Sequence, residues 1–185
     1  MKSIIVAASL MLFAMPVLAG PDRGVYIGGS TMLTKIGLQD AYDKEVQFKV
    51  VEGIIGYRYN SLLGVESRIG ASVRGENVLV REDPVSGEED VVEANIDHFE
   101  SIYYRAELKN DIAKLYMLLG TARMSVTSEF EDGTQVTNTS NGLSYGIGGG
   151  LVVGDSFYFN IEAKNLIHTN TDTYFGYGAS ITLHF

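Results

Sequence analysis

At 185 residues the chain has room for one domain with a real core and no need of a second. It has no cysteine, which excludes a disulfide framework and a thiolate metal site, and its net charge of −9 excludes the phosphate-neutralising surface of a nucleic-acid binder. With 21 Gly, 11 Tyr and 8 Phe against 3 Pro, the composition suits strands better than helices.

The chain opens on a secretory signature. Lys2 gives a basic start, Ile4 to Phe13 form an apolar stretch, and Val17-Leu18-Ala19 offers small residues to a signal peptidase. Pro16 interrupts the stretch, which falls short of the about 20 apolar residues of a membrane helix. Residues 1–19 are therefore expected to be a cleaved signal and 20–185 a single domain. Losing Lys2 leaves 13 basic and 23 acidic residues, a net of 13 − 23 = −10.

No later segment is a continuous apolar run, but period-two alternation recurs throughout, and it predicts eight strands. The first, Gly24 to Thr34, has apolar and small residues on both faces, so its phase stays open. Next, Val51, Gly53, Ile55, Tyr57 and Tyr59 oppose Glu52, Gly56 and Arg58. Leu63, Val65, Ile69, Ala71 and Val73 oppose Gly64, Glu66, Arg68, Gly70 and Arg74. Within Ile96 to Lys109, Ile102, Tyr104, Ala106 and Leu108 oppose Arg105 and Glu107. Within Lys114 to Ser128, the apolar face is read as Tyr116, Leu118, Ala122, Met124 and Val126, with Arg123 opposite. Leu143, Tyr145, Ile147, Gly149, Leu151 and Val153 alternate with Ser144 and glycines. Phe157, Phe159, Ile161 and Ala163 oppose Tyr158, Asn160, Glu162 and Lys164. Last, Phe175, Tyr177, Ala179, Ile181, Leu183 and Phe185 oppose Gly176, Gly178, Ser180, Thr182 and His184.

Long connections (35–47, 75–95, 129–141 and 168–173) alternate with short ones at Asn60-Ser61, Asn110-Asp111 and Gly154-Asp155. That rhythm, with an even strand count, fits a transmembrane barrel with short periplasmic turns and long extracellular loops. The topology sets Tyr57, Tyr59, Tyr116, Phe157, Phe159 and Phe185 at one rim and Tyr145, Phe175 and Tyr177 at the other, as two aromatic belts. The expected fold is all-β, a single eight-stranded antiparallel up-and-down transmembrane β-barrel. A soluble β-sandwich is the alternative, because aromatics favour strands in either.

The exported start, the alternating strands, the segment Gly64-Val65-Glu66-Ser67-Arg68 and the ending Tyr177-Gly178-Ala179-Ser180-Ile181-Thr182-Leu183-His184-Phe185 together resemble the small outer-membrane barrels of the OmpX and OmpA transmembrane-domain type, the porin family. The resemblance implies contact with outer-membrane lipid and lipopolysaccharide. It also implies that the final strand, with Tyr177, Ile181, Leu183 and Phe185, is the signal read by the barrel-assembly machinery. No peptidoglycan-binding segment follows Phe185, so a wall-anchoring role is not carried over.

The inward faces of these strands gather Glu52, Arg58, Glu66, Arg68, Arg74, Arg105, Glu107, Arg123, Glu162 and Lys164. An eight-stranded barrel is just wide enough for such side chains to fill it, so an ion-pair network is expected, with a narrow ion path as the alternative. His98, His168 and His184 are dispersed, giving no convergent catalytic triad and no zinc cluster; no catalytic residue, cofactor or metal is expected. The glycines of Gly146 to Gly150 lack phosphate-loop spacing and make room for large neighbours such as tyrosine. Residues 75–95 hold seven acids and one base, Arg81, without the spacing of a calcium loop. Around a turn marked by Pro84 and Gly87, Val78 to Val80 and Val91 to Val92 are expected to extend the strands above the membrane. The leading functional expectation is a structural or surface-interaction protein that meets an unidentified ligand through its loops. A diffusion pore is second, and a lipid- or peptide-hydrolysing enzyme third.

Overall fold

The computed structural model describes residues 23–36, 46–82, 89–130, 133–154, 156–168 and 173–185. The expected signal of residues 1–19 lies outside them, as do most of the connections read at 35–47 and 168–173 and the turn at Pro84 and Gly87.

Nine strands follow one another: β1 (Gly24–Ile36), β2 (Val46–Arg58), β3 (Leu63–Ser72), β4 (Glu76–Glu82), β5 (Glu89–Lys109), β6 (Ala113–Glu129), β7 (Gln135–Val153), β8 (Phe157–His168) and β9 (Thr173–His184). No helix forms among the described residues. Consecutive strands pair antiparallel except β3 and β4: β3 pairs with β5 and β1 with β9 to complete the ring, and β4 attaches only to the far half of β5. The barrel proper thus has eight strands. From Gly24, the paired residues run through Arg58, Gly64, Arg105, Leu118, Gly146, Lys164 and Gly176 back to Thr34, ten positions along β1 (34 − 24 = 10). For eight strands that shear sets a tilt of about 40° and a bore that side chains fill.

The register settles the two open or mistaken phases. In β1, Tyr26, Ser30, Met32 and Thr34 point inward and are buried. In β6 the expected phase is reversed: Tyr116, Leu118, Ala122 and Met124 are buried inside, while Leu115, Met117 and Leu119 stand outside, 67%, 64% and 57% exposed. This strand is apolar on both faces, so alternation alone could not choose between them. Tyr116 accordingly leaves the expected aromatic rim. Of the other aromatics, Tyr59, Phe157, Phe159 and Phe185 near the short turns and Tyr145, Phe175 and Tyr177 near the far end are exposed on the exterior, and Tyr57, against Tyr59, is half-buried. So are Ile55, Ile69, Ile102, Tyr104, Ile147 and Ile161 between them. An outer wall this apolar is stable in lipid and not in water.

Two of the long connections are structured. Within residues 75–95, β4 and the start of β5 form a hairpin, as the valine pairs predicted. Residues 129–141, read as a loop, instead belong largely to β7, whose hairpin with β6 turns at Gly133 in the left-handed conformation (φ 80°). The Ser125–Thr139 and Thr127–Thr137 rungs are joined by hydroxyl contacts of 3.0 and 2.7 Å. Both faces of that hairpin are solvated, so it carries no apolar alternation to read.

Inside, two glycines leave space for rings. A Cβ on Gly56 would lie 2.1 Å from Cζ of Tyr26, and one on Gly148 2.2 Å from Cζ of Tyr116. Gly56→Val and Gly148→Val should each lower the urea-unfolding stability of the barrel by about 1–3 kcal/mol through overpacking. Gly149→Ala, whose Cβ would meet nothing closer than 3.4 Å, should be nearly neutral. Equal effects at all three positions would contradict this account of the interior.

Candidate functional site: the charged lumen

The inward positions of the strands build three layers. The middle one is ionic. Arg68, fully buried on β3, donates from Nε to Glu66 at 2.5 Å, from Nη1 to Glu52 at 3.0 Å, and to Glu162 from both terminal nitrogens, Nη2 at 2.9 Å. Lys164 on β8 reaches both oxygens of Glu52 at 3.0 Å and Glu162 at 3.3 Å. Arg105 on β5 donates to Glu66 at 2.8 Å and Glu107 at 3.0 Å, and lies 3.6 Å from the centre of the Tyr116 ring. Hydroxyls complete the carboxylates: Tyr26 donates to Glu66 at 2.7 Å, Ser30 to Glu52 at 2.5 Å and Tyr116 to Glu162 at 3.0 Å.

Below it, towards the short turns, lie Arg58, Glu107, Lys114, Tyr158 and His184. Above it is an apolar layer built from Met32, Phe48, Val50, Ile96, Phe99, Met124, Leu166, Ile167 and Tyr174. Irregularities in pairing at Ile96/His98 and at Asn165/Ile167 help to fill it, the second leaving Asn165, Leu166 and Ile167 all buried.

Of the ten residues expected in the lumen, Glu52, Arg58, Glu66, Arg68, Arg105, Glu107, Glu162 and Lys164 are buried there. Two are not. Arg123 lies outside, its side chain 60% exposed and 3.9 Å from Glu100, because β6 runs in the opposite phase to that expected. Arg74 is exposed beyond Ser72, where β3 has ended and strand parity no longer applies. Lys114, not among those ten, shares the inward parity of Tyr116 and Leu118 and is buried with them. Lys114 was the signal that could have set the phase of β6. The expected assembly-signal residues Tyr177, Ile181 and Phe185 face outward from β9 and its end.

The histidines stand apart. His98 is outside, 3.3 Å from Glu100; His168 packs edge-on against Tyr145; His184 stacks on Tyr26 at 4.8 Å and touches Thr182. Among the described residues no carboxylate pairs with His184 or His168, and no serine is hydrogen-bonded to His98, so no Ser-His-acid arrangement is assembled from them.

Beyond the barrel, β4, β5, β6 and β7 continue as a four-stranded sheet. Within it, β7 from Gln135 to Gly142 pairs only with β6, since its pairing with β8 starts at Leu143, and β4 pairs only with β5. Among the described residues the sheet therefore has two free edges.

The sequence model of the outer membrane protein beta-barrel domain matches residues 5–185. At the level of sequence, no curated protein resembles the chain. Solved structures with a similar fold include Ail, the attachment invasion locus protein of Yersinia pestis, in complex with the heparin analogue sucrose octasulfate (TM-score 0.62, 14% identity, covering 89% of this chain and 99% of that one). Neisserial surface protein A matches with TM-score 0.62 and 13% identity over 88% of this chain and 97% of its own. The N-terminal β-barrel domain of Pseudomonas aeruginosa OprF matches with TM-score 0.60 and 12% identity over 88% and 99%. At these identities the likeness is one of fold.

Removing Arg68 would leave Glu52, Glu66 and Glu162 facing one another without their shared cation. Arg68→Met should therefore cost about 3–5 kcal/mol in urea unfolding of the refolded barrel. Tyr26→Phe, which takes one donor from Glu66, should cost about 1–3 kcal/mol, and Arg123→Gln on the exterior less than about 0.5 kcal/mol. An Arg68→Met barrel as stable as Arg123→Gln would show that the ionic layer does not hold the interior.

Proposed function

Because the chain belongs to the outer membrane protein beta-barrel domain family, we propose that it is a surface-interaction protein: the barrel anchors it in the outer membrane and the projecting sheet meets its partner. The observation that carries this reading is the division of the molecule into a lumen filled with buried side chains and a sheet that rises past the apolar belt with both edges unpaired among the described residues. A pore is less well supported, since the charges across the middle of the lumen are buried and engaged with each other. The scattered histidines give an enzyme no focus.

In this reading the termini and short turns face the periplasm and the sheet faces outward. The exposed apolar belt contacts lipid and lipopolysaccharide, and the last strand, with Tyr177, Ile181, Leu183 and Phe185 on its outer side, is what the barrel-assembly machinery reads. Exposed sheet edges recruit partners by adding a strand, with main-chain hydrogen bonds supplying affinity. Charge narrows the partner. Ail was solved with a sulfated, polyanionic ligand, whereas residues 75–95 here carry seven acids against one base, so a basic protein surface is favoured over a heparin-like one.

Cells of a non-adherent Gram-negative strain displaying this protein should bind cultured epithelial monolayers. Joining β6 to β7 by a tight turn at the Thr127–Thr137 rung should abolish that binding while the barrel still folds, as judged by heat-dependent gel mobility. Adhesion that survives the shortened hairpin would remove the sheet from consideration. In planar bilayers the inserted protein should be electrically silent; steady ion-selective steps would favour the pore.

A further inference from the structure

The charges of the lumen are balanced in the middle and unbalanced towards the short turns. Arg68, Arg105 and Lys164 face Glu52, Glu66 and Glu162, three against three. Below them, Arg58 and Lys114 share only Glu107, at 4.0 and 3.8 Å, and Arg105 already holds that carboxylate at 2.9 Å. Among the described residues, no other carboxylate lies within ion-pair distance of Arg58 or Lys114. Lys109 adds another amine at the rim, 3.2 Å from the Tyr158 hydroxyl.

The same chamber holds buried polar atoms that bond to no described residue, two cationic donors in excess of one carboxylate oxygen, Oε1 of Glu107. Among the described residues, the donors Lys114 Nζ and Arg58 Nε are buried without hydrogen-bond partners, as is Nδ1 of His184, a donor or an acceptor according to its tautomer. Lys114 is 2% exposed, Arg58 7% and His184 8%. The walls are aromatic: Lys114 Nζ sits 4.1 Å from the centre of the Tyr158 ring, which packs on His184 at 4.3 Å. Tyr158 and Lys109 also line an open depression in the rim, with Asp111 beside them.

A buried cation without a counter-charge is strongly disfavoured. Water can satisfy its hydrogens but leaves the charge uncompensated. We propose that this chamber binds one halide-sized anion between Lys114 on β6 and Arg58 on β2, with Glu107 setting the chamber's net charge at one positive unit. The small residual exposure of these side chains excludes bulky anions. The bound ion ties strands from opposite sides of the barrel at the end where the ionic layer is thinnest.

The test is bromide replacing gluconate at constant ionic strength, with the full-length mature barrel in detergent. The unfolding midpoint of the wild type should rise saturably with bromide, and crystals grown in bromide should show an anomalous peak beside Lys114 Nζ. Lys114→Met, or Lys114→Gln if the former does not refold, should weaken the apparent affinity by roughly tenfold or more and lose the peak. In gluconate alone, Lys114→Met should be at least as stable as wild type, because an apolar side chain of similar length replaces an unpaired buried charge. Arg123→Gln should respond to bromide as the wild type does. A wild type indifferent to bromide, a chamber without an anomalous peak, or a bromide response that survives Lys114→Met would each overturn the proposal.

Discussion

A sheet that closes on itself in lipid satisfies every backbone group but is left with an interior to fill. Eight strands with a shear of ten fix that interior at about the width of two facing side chains. The rest of the structure follows from how this narrow bore is occupied. Bulky groups fit only where a neighbour is small, which is why the Tyr26 and Tyr116 rings lie over Gly56 and Gly148. Charged groups fit only where they meet an opposite charge, so Arg68, which reaches three carboxylates, sits at the centre.

Such a network is a weak source of net stability, since desolvating the ions consumes most of what their attraction returns. Its stronger effect is on register. A slip of one residue would turn a strand's inward face outward, carrying Glu66 and Arg68, or Glu162 and Lys164, into lipid and isoleucines into the bore. The penalty for a misplaced charge in lipid is severe. The apolar layer above the ions gives no such discrimination, because Met32, Phe99 and Met124 would be tolerated on either side of the wall. Register is therefore specified chiefly by the lower two layers.

The same asymmetry decides what was legible in the sequence. Strands whose charges all fall on one face, as Glu66 and Arg68 or Glu162 and Lys164 do, declared their phase. β6 did not: its faces are both apolar, and Arg123 in the middle of the strand outweighed Lys114 at its start, although Arg123 lies where the strand has left the belt and can bear a charge outside. Arg74 was misplaced by carrying the parity of β3 past its end. The buried Ile96 likewise escapes its strand's parity, because the pairing of β5 with β6 shifts between Ile96 and His98. The apolar layer had no signature at all, since period two separates two faces without saying which is inside. The projecting half of β7 was unreadable for the opposite reason, being polar on both faces.

A projecting sheet differs physically from a set of long loops. Loops must be ordered when they bind, and each immobilised residue subtracts from affinity, whereas strands already paired to the barrel present their edges at little further entropic cost. Here β5, β6 and β7 each continue as one strand from the ionic layer into the projecting sheet, with a single shift in the β5–β6 pairing between Ile96 and His98. The acidic residues of the β4–β5 hairpin fit this arrangement. An unpaired edge invites pairing with any strand, including a second copy of itself, and the acidic sequence of residues 75–95 opposes such self-association. The closed barrel and the open sheet are thus one solution applied twice: edges are eliminated within the membrane and kept, guarded by charge, beyond it.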